Sequence, residues 1–275
     1  RETDAAHAHA LAAVEVRRRI NRSPLVQRIM LTAGGPAVEF ETEVDWAESH
    51  KLLKVAFPVD VRAADATYEI QFGSLRRPTH RNTSWDAAKF EVCGQRWADL
   101  SETGYGVCLL NDCKYGHDVH GNVMRLTLLR APKQPDPTAD LGHHEFRYAL
   151  FPHAGDHVEA ATVRRGAEFN VPLRAAIVAS RGGELPAATS FFAVDSPHVV
   201  LDTVKKAEDD DALIARLYEA HGGRARARLT TSLPVASAAE CDLLERATAG
   251  DPVELEDGAV SLDFGPFEVK TLRLE

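Results

Sequence analysis

A stretch of nine residues, Val38–Trp46, alternates between two kinds of side chain. One set of positions carries Val38, Phe40, Thr42, Val44 and Trp46, and the set between them carries Glu39, Glu41, Glu43 and Asp45. A period of two places successive side chains on opposite faces of a β-strand. The pattern therefore predicts a strand with one buried face and one wet, acidic face. We interpret the acidic row as a solvated face and not as a catalytic cluster.

Short apolar segments bounded by turn residues recur along the rest of the chain. In the first part they are residues 14–20, 25–32, 52–57, 66–72, 90–93 and 144–151, and in the last part residues 191–194, 199–204, 214–220, 225–231 and 267–274. Many short strands with intervening turns are typical of β-sandwiches. Residues 76–86 and 131–142 are interpreted as long loops, and residues 154–172 are ambiguous between strand and short helix. The sequence therefore predicts an all-β fold.

A linker at residues 179–189 is indicated by Arg181-Gly182-Gly183-Glu184 and Pro186, because Gly and Pro interrupt regular structure. We predict a large β-sandwich domain over residues 14–180 and a small C-terminal β-sandwich over residues 190–275. The small domain has no Trp and only Cys241, so its likeness to an immunoglobulin domain would be one of architecture, without the disulfide. Residues 1–13 form an Ala-rich N-terminal segment and are a candidate for disorder.

The chemically richest segment lies between two apolar runs, residues 107–110 and 123–129. We interpret the runs as the strands of a hairpin whose connection carries Asp112, Lys114, Tyr115, His117, Asp118 and His120. A rigid sheet that presents a polar loop is a common way to build a site. From the residues alone, an ordinary solvated loop is the favoured interpretation.

The net charge of −9 and the pI of about 5.8 restrict the partners. Nucleic-acid backbones require clustered Lys and Arg, and anionic membrane surfaces also require basic segments. We therefore expect neither nucleic acid nor membrane as a partner. The four cysteines include no Cys-x-x-Cys pair, which favours a reducing compartment, and we expect a cytoplasmic location.

Histidine is the most abundant candidate metal ligand, with 12 in the chain. Three pairs are close in sequence: His117 and His120, His153 and His157, and His143 and His144. A spacing of four can place two imidazoles on one helix face, as in many zinc sites. No third ligand follows any pair at a diagnostic spacing, so we expect no metal and no cofactor in this chain.

Catalytic nucleophiles are equally hard to find. The sequence contains no Gly-x-Ser-x-Gly elbow, and no pair of acids can be assigned to glycoside hydrolysis. Cys113 beside Lys114 is only weak evidence for a lowered thiol pKa. We therefore expect no catalytic residue in this chain.

A family resemblance is carried by ordered segments that cover nearly the whole chain from about Leu25 onward. They are residues 66–73, 77–80, 82–86, 96–130, 135–140, 148–153, 200–205 and 216–222. Together they resemble the C-terminal region of α-mannosidases of glycoside hydrolase family 38, in particular the cytosolic and vacuolar type. One departure is Gln95, where the family tends to have His.

The resemblance implies a large sandwich of the galactose-mutarotase-like type (a supersandwich), of which this chain is expected to lack the first strands, and then a smaller immunoglobulin-like sandwich. It implies that a zinc ion and an Asp nucleophile lie in an N-terminal catalytic domain that this chain does not match. This chain would then be an accessory scaffold and cleft wall, inactive in isolation, with that domain and a mannose-containing oligosaccharide as partners. The rim of the substrate cleft would include Asn111, Asp112, Lys114, Tyr115, Asp136 and Asp140.

Two other interpretations stay open. A stand-alone carbohydrate-binding β-sandwich module would require aromatic side chains on an exposed sheet face, and the tryptophans are Trp46, Trp85 and Trp97. Trp46 lies on the apolar face of its strand, which favours the core. A platform for homo-oligomer formation is the third interpretation, and the sequence does not test it.

Overall fold

A computed structural model describes residues 11–179, 182–183, 185–248 and 253–275. Its first elements are β1 (Leu11–Ile20), β2 (Ser23–Thr32), β3 (Val38–Trp46), β4 (Leu53–Pro58), β5 (Asp65–Ile70), β6 (Gly73–Pro78), α1 (Ser84–Ala88), β7 (Val92–Cys93), β8 (Trp97–Glu102), β9 (Tyr105–Asn111), β10 (Gly116–His120), β11 (Val123–Leu129), β12 (Gly142–Ala154) and α2 (Thr162–Asn170). Strands then continue with β13 (Phe192–Val194), β14 (Val199–Lys206), β15 (Leu213–Glu219), β16 (Ala225–Thr231), β17 (Ala238–Cys241), β18 (Leu255–Glu256), β19 (Ala259–Phe264) and β20 (Val269–Leu274). The predicted all-β fold is confirmed. Within the described residues, neither helix has the length and apolar character needed to cross a bilayer.

The first sandwich is built from an eight-stranded and a four-stranded sheet. Their strand orders are β1-β2-β3-β12-β9-β8-β5-β6 and β4-β11-β10-β7. One core contains residues of both sheets, among them Leu100, Leu109 and Tyr148 from the larger and Met124 and Leu126 from the smaller. Because burying an apolar side chain of this size contributes about 2 kcal/mol, the shared core holds the two sheets face to face.

Strand β3 follows the alternation predicted for it. Val44 and Trp46 are buried, and Asp45 is exposed. On the acidic face, Arg28 Nη1 lies 3.5 Å from Glu43 Oε1 on the paired strand. Exposed pairs of this kind contribute little to stability, about 0–1 kcal/mol. The acidic row is therefore a surface feature of the sheet.

The predicted hairpin of residues 107–110 and 123–129 is wrong. Strand β9 belongs to the eight-stranded sheet and β11 to the four-stranded sheet. The polar connection contains a further strand, β10, and it is β10 that pairs with β11. Two of its polar residues are buried: Asp118 accepts hydrogen bonds from Lys54 and Arg125, both at 2.6 Å, and His117 is fully enclosed. A segment of polar composition therefore forms a strand that the sequence pattern did not predict.

Regular structure also occurs in the segment that was predicted as the 76–86 loop. Strand β6 continues to Pro78, and α1 begins at Ser84. Thr83 Oγ1 accepts a hydrogen bond from Asp86 N at 3.1 Å, and Asp86 Oδ2 accepts one from Thr83 N at 3.2 Å. This reciprocal capping box explains why so short a helix begins there.

The ambiguous segment 154–172 contains the helix α2. The helix lies on strand β8 at Gly166, where an added Cβ would be 2.7 Å from Trp97 Cδ1. Only a residue without a side chain permits that approach. Trp97 is completely buried as a result.

Two four-stranded sheets form the second sandwich, in the orders β13-β16-β19-β18 and β14-β15-β20-β17. Their core combines Leu217 and Leu272 of one sheet with Leu229 and Leu262 of the other. Five of its strands, β13, β14, β15, β16 and β20, lie within a few residues of the predicted segments. Strands β17, β18 and β19 were not predicted.

Contacts divide the chain into two compact units. One contains the described residues up to Ile70 together with Leu75–Leu173, and the other contains Gln71–Ser74 and Arg174–Glu275. Between α2 and β13 the described residues form neither helix nor strand, and the predicted linker 179–189 lies there, with positions 180, 181 and 184 outside the described residues. The domain limits stated from the sequence stay a prediction. Of the segment 1–13, residues 1–10 lie outside the described residues, and residues 11–13 belong to β1, so disorder is wrong for them.

Candidate functional site

The loop of residues 111–116 begins at Asn111, the last residue of β9, which is 1% exposed. Its Nδ2 donates to the Gln95 carbonyl at 3.0 Å, and its Oδ1 accepts from Lys114 N at 2.7 Å. Asn170 at the end of α2 donates to its carbonyl at 3.0 Å. With donor and acceptor both engaged, Asn111 fixes the start of the loop. Its side chain is a structural support of the predicted rim.

Gln95 takes part in the support of this loop through its backbone. Its N–H donates to Glu69 O at 2.9 Å, and its carbonyl accepts from Asn111. Any residue other than Pro can supply these two groups. The support of the loop therefore does not depend on the side chain at this position.

Asp112 is held by Arg147 of strand β12. Its Oδ1 accepts from Arg147 N at 3.1 Å, and its Oδ2 lies 3.3 Å from Arg147 Nε. The guanidinium also lies 5.2 Å from the centre of the Phe169 ring in α2. Sequence reasoning missed Arg147, although the alternation of β12 assigns it to the face opposite Phe146 and Tyr148. Asp112 is thus committed to a charge pair inside the protein.

Lys114 of the same loop reaches strand β12. Its Nζ lies 4.5 Å from the centre of the Phe146 ring, a cation–π distance. Hydrogen bonds from the Ala131 and Arg130 amides lower the pKa of Asp140, and the charges of His144 and Lys114 lower it further. Asp140 Oδ2 accepts those bonds at 2.9 and 2.8 Å. The carboxylate of Asp140 is therefore held by the backbone at the start of its own loop.

The two remaining rim residues behave differently from each other. Tyr115 is 58% exposed, and its carbonyl accepts from Gly94 N at 3.0 Å, so the backbone is held while the ring is free to meet a ligand. Asp136 closes a turn within its own loop, because its Oδ1 accepts from the amide and the hydroxyl of Thr138 at 2.8 Å each. Its carboxylate is engaged locally.

Thiol chemistry at this loop is not favoured. Partial burial and a hydrogen bond with Asp112 raise the pKa of Cys113 to about 11. A thiol with a pKa this high is protonated at neutral pH and is a poor nucleophile. The weak sequence evidence for an activated Cys113 is therefore contradicted.

The histidine pairs do not converge. His117 is buried and His120 is exposed, as expected for positions three apart on a strand. His153 Nε2 lies 2.8 Å from Asp99 Oδ2, and the His157 ring packs on Trp97 with centroids 5.9 Å apart. Across the described ranges no group of three His, Cys, Asp or Glu side chains could hold a metal ion. The residues described here therefore do not fit a zinc site.

The described residues form two consecutive β-sandwiches, and the first of them carries the polar loop of residues 111–116. The family model "Glycosyl hydrolases family 38 C-terminal domain" matches residues 6–138, and "Glycosyl hydrolases family 38 C-terminal beta sandwich domain" matches residues 198–272. The chain belongs to the C-terminal region of glycosyl hydrolase family 38.

Curated relatives are considerably longer than this chain. It is 52% identical over 256 residues to "Alpha-mannosidase 2C1" of Mus musculus, covering 92% of this chain and 24% of the relative. It is 39% identical over 258 residues to "Alpha-mannosidase" of Saccharomyces cerevisiae, covering 86% and 24%. The chain thus spans about a quarter of the length of these relatives.

A solved structure shares the fold. The crystal structure of an α-mannosidase from Enterococcus faecalis V583 aligns with a TM-score of 0.77 at 19% identity, over 92% of this chain and 29% of that one. At this identity the likeness concerns the fold alone. The alignment agrees with the two successive β-sandwiches of this chain.

Proposed function

We propose that this chain is the accessory C-terminal β region of an α-mannosidase, where it acts as scaffold and as one wall of the substrate cleft. The observation that carries the proposal is the 111–116 loop, which is fixed by Asn111 and presents Lys114 and Tyr115. The relatives named α-mannosidases are about four times as long as the matched segment, which leaves room for a catalytic domain. The zinc ion and the Asp nucleophile are proposed to lie in that N-terminal domain, and the isolated chain is proposed to be inactive.

Lys114 and Tyr115 are the groups of the loop that are best suited to a sugar. The side-chain oxygens of Asn111 and Asp112 already accept hydrogen bonds from backbone and guanidinium donors. In the described part of the chain no carboxylate oxygen lies within 4.0 Å of Lys114 Nζ, so its N–H groups can donate to sugar hydroxyls. The exposed Tyr115 ring can stack on the apolar face of a pyranose. A mannose-containing oligosaccharide is therefore the proposed ligand of the rim.

The test is Lys114→Ala and Tyr115→Ala in the full-length enzyme. Each change is expected to lower kcat/KM on a mannose-containing oligosaccharide about tenfold, the loss of roughly one hydrogen bond or stacking contact in the transition state. The melting temperature is expected to change little, because both side chains lie outside the core.

Matched controls are Lys51→Ala and Tyr105→Ala. Lys51 is exposed, and Tyr105 lies at the opposite end of β9 from the loop. Both controls are expected to keep kcat/KM within about twofold. If Lys114→Ala and Tyr115→Ala leave kcat/KM unchanged, the loop is a structural contact only and the cleft-wall proposal is wrong.

Two accompanying points belong to the same proposal. A cytoplasmic location is supported by Cys93, Cys108, Cys113 and Cys241, which are all free thiols. The stand-alone carbohydrate-binding module has less support, because Trp46 and Trp97 are buried and the exposed Trp85 lies on α1 and not on a sheet face. Homo-oligomer formation stays a prediction.

A further inference from the structure

A recess beside β6 and α1 has no part in the proposed cleft wall. It is small and partly open to solvent. Basic side chains dominate its lining: Arg77, His80, Arg81, Lys89 and His120. Its acidic lining residues are Asp86 and Asp118.

Arg77 is the unusual member of this group. Its guanidinium lies over the Tyr68 ring, 4.7 Å from the centroid, and Tyr68 is itself only 2% exposed. Nη2 has a weak sulfur contact, 3.7 Å from Cys93 Sγ. Nη1 is buried and has no hydrogen-bond partner among the described residues. A buried donor on a charged group is costly when it is left unpaired, so this nitrogen calls for a partner.

Neither acid of the lining supplies that partner. Asp118 is bound by Lys54 Nζ at 2.6 Å and by Arg125 Nη1 at 2.6 Å, so two cations already balance its charge. Asp86 Oδ2 accepts from the amide and the hydroxyl of Thr83 at 3.2 and 2.8 Å. These Thr83 donors are neutral, so Asp86 keeps its negative charge, and its Oδ2 also lies 3.6 Å from His80 Nδ1. Arg77, Arg81 and Lys89 still outnumber Asp86 three to one among the lining charges that Lys54 and Arg125 do not already balance.

We propose that this recess binds an oxyanion, the phosphate or carboxylate group of a ligand. Arginine presents donors in a fixed planar fork that matches either group. Stacking on the buried Tyr68 ring holds that fork in place before binding, which reduces the conformational cost of ordering it. Arg81 and Lys89 are exposed at the mouth, where their charge raises the local concentration of anions.

The experiment is isothermal titration calorimetry of the full chain with inorganic phosphate and, separately, with acetate, at constant chloride concentration. Saturable binding of one anion per chain is expected. Tighter binding of phosphate assigns a phosphate ester as the natural ligand group, and tighter binding of acetate assigns a carboxylate. Saturable binding of neither anion overturns the proposal.

Variants locate the binding. Arg77→Gln is expected to weaken affinity at least tenfold, and Arg76→Gln, which changes an exposed neighbour on the same strand, is expected to leave it within twofold. Unchanged affinity in Arg77→Gln would overturn the assignment. If Arg77→Gln fails to fold, the double variant Arg81→Gln with Lys89→Gln tests the site instead. Both residues are exposed, so their replacement is expected to leave the fold intact. The double variant is expected to weaken affinity severalfold, and binding equal to that of the unaltered chain refutes the site.

Discussion

Acid should destabilise the first sandwich through the buried imidazole of His117. His117 is 0% exposed, its ring lies edge-on to Tyr68 with centroids 6.1 Å apart, and Gly94 lies so close that an added Cβ would be 2.9 Å from Nδ1. Burial lowers its pKa from 6.5 to about 4, against the opposing effect of the hydrogen bond that the ring donates to the Tyr115 carbonyl. Arg77 and Lys54 lower the pKa further, and Glu91 raises it.

The magnitude follows from proton linkage. Below pH 6.5 the unfolded chain takes up a proton at this histidine, while the folded chain stays neutral until about pH 4. Stability therefore falls as the pH falls through that window, by about 1.4 kcal/mol per pH unit. Between pH 7 and pH 5 the expected loss from His117 is about 2 kcal/mol. His157, whose pKa is also lowered by burial, adds a loss in the same direction.

Urea unfolding followed by tryptophan fluorescence measures this loss. Trp46, Trp85 and Trp97 all lie in the unit that contains His117, so the signal reports on the relevant sandwich. The free energy of unfolding should drop about 2 kcal/mol more between pH 7 and pH 5 in the unaltered chain than in His117→Gln. Val119→Ala, on the same strand, removes buried volume without removing a titrating group, and it should keep the full pH dependence. Equal losses in the unaltered chain and His117→Gln would refute the reasoning.

Two further predictions concern other buried polar groups. Burial alone would lower the pKa of His153, but the hydrogen bond and the charge of Asp99, 2.8 Å away, raise it on balance. The pair therefore stabilises the fold below pH 6.5, and this stabilisation is lost as the pH rises through the raised pKa. His153→Gln should therefore lower the melting temperature more at pH 6 than at pH 9, and an equal drop at both would contradict this. Glu219 accepts hydrogen bonds from the amides of His221, Gly222, Gly223 and Phe267 at 2.8–3.0 Å. Glu219→Gln should lower the free energy of unfolding by about 1–3 kcal/mol, because it leaves buried donors less well satisfied. Scanning calorimetry measures the loss, with the exposed Glu254→Gln as the control. Equal melting temperatures of the two variants would count against the prediction.

Much of the fold could be predicted from local pattern. Strand β3 was predicted correctly because one of its faces lies against the core and the other faces water. Apolar and polar residues therefore alternate along its sequence with a period of two. Strand β10 was missed because it has no such period: Asp118 is as buried as Val119. Two cations make this burial tolerable. Lys54 comes from β4, 64 positions away, and Arg125 is placed opposite Asp118 only by the pairing of β10 with β11.

The candidate site was predictable in part for the same reason. The 111–116 loop was located because polar residues interrupt two apolar runs, and Tyr115 is indeed exposed. The partner of Asp112 was not located, because Arg147 lies 35 positions away and is brought close only by the pairing of β12 with β9. Asp136 was grouped with the rim on position in a loop, yet its carboxylate closes a turn with Thr138.

Sequence by itself determined the fold class, most strand positions and the family, because these depend on patterns of solvent exposure and on long ordered segments that survive in one dimension. Tertiary structure alone decided which sheet β9 and β11 join, which polar groups are buried, and which donors remain unpaired at Arg77. The physical reason is that burial of a charge or a polar group is tolerated only where distant partners converge on it. Such partners are set by strand pairing across the sheets, and strand pairing is a property of the folded chain.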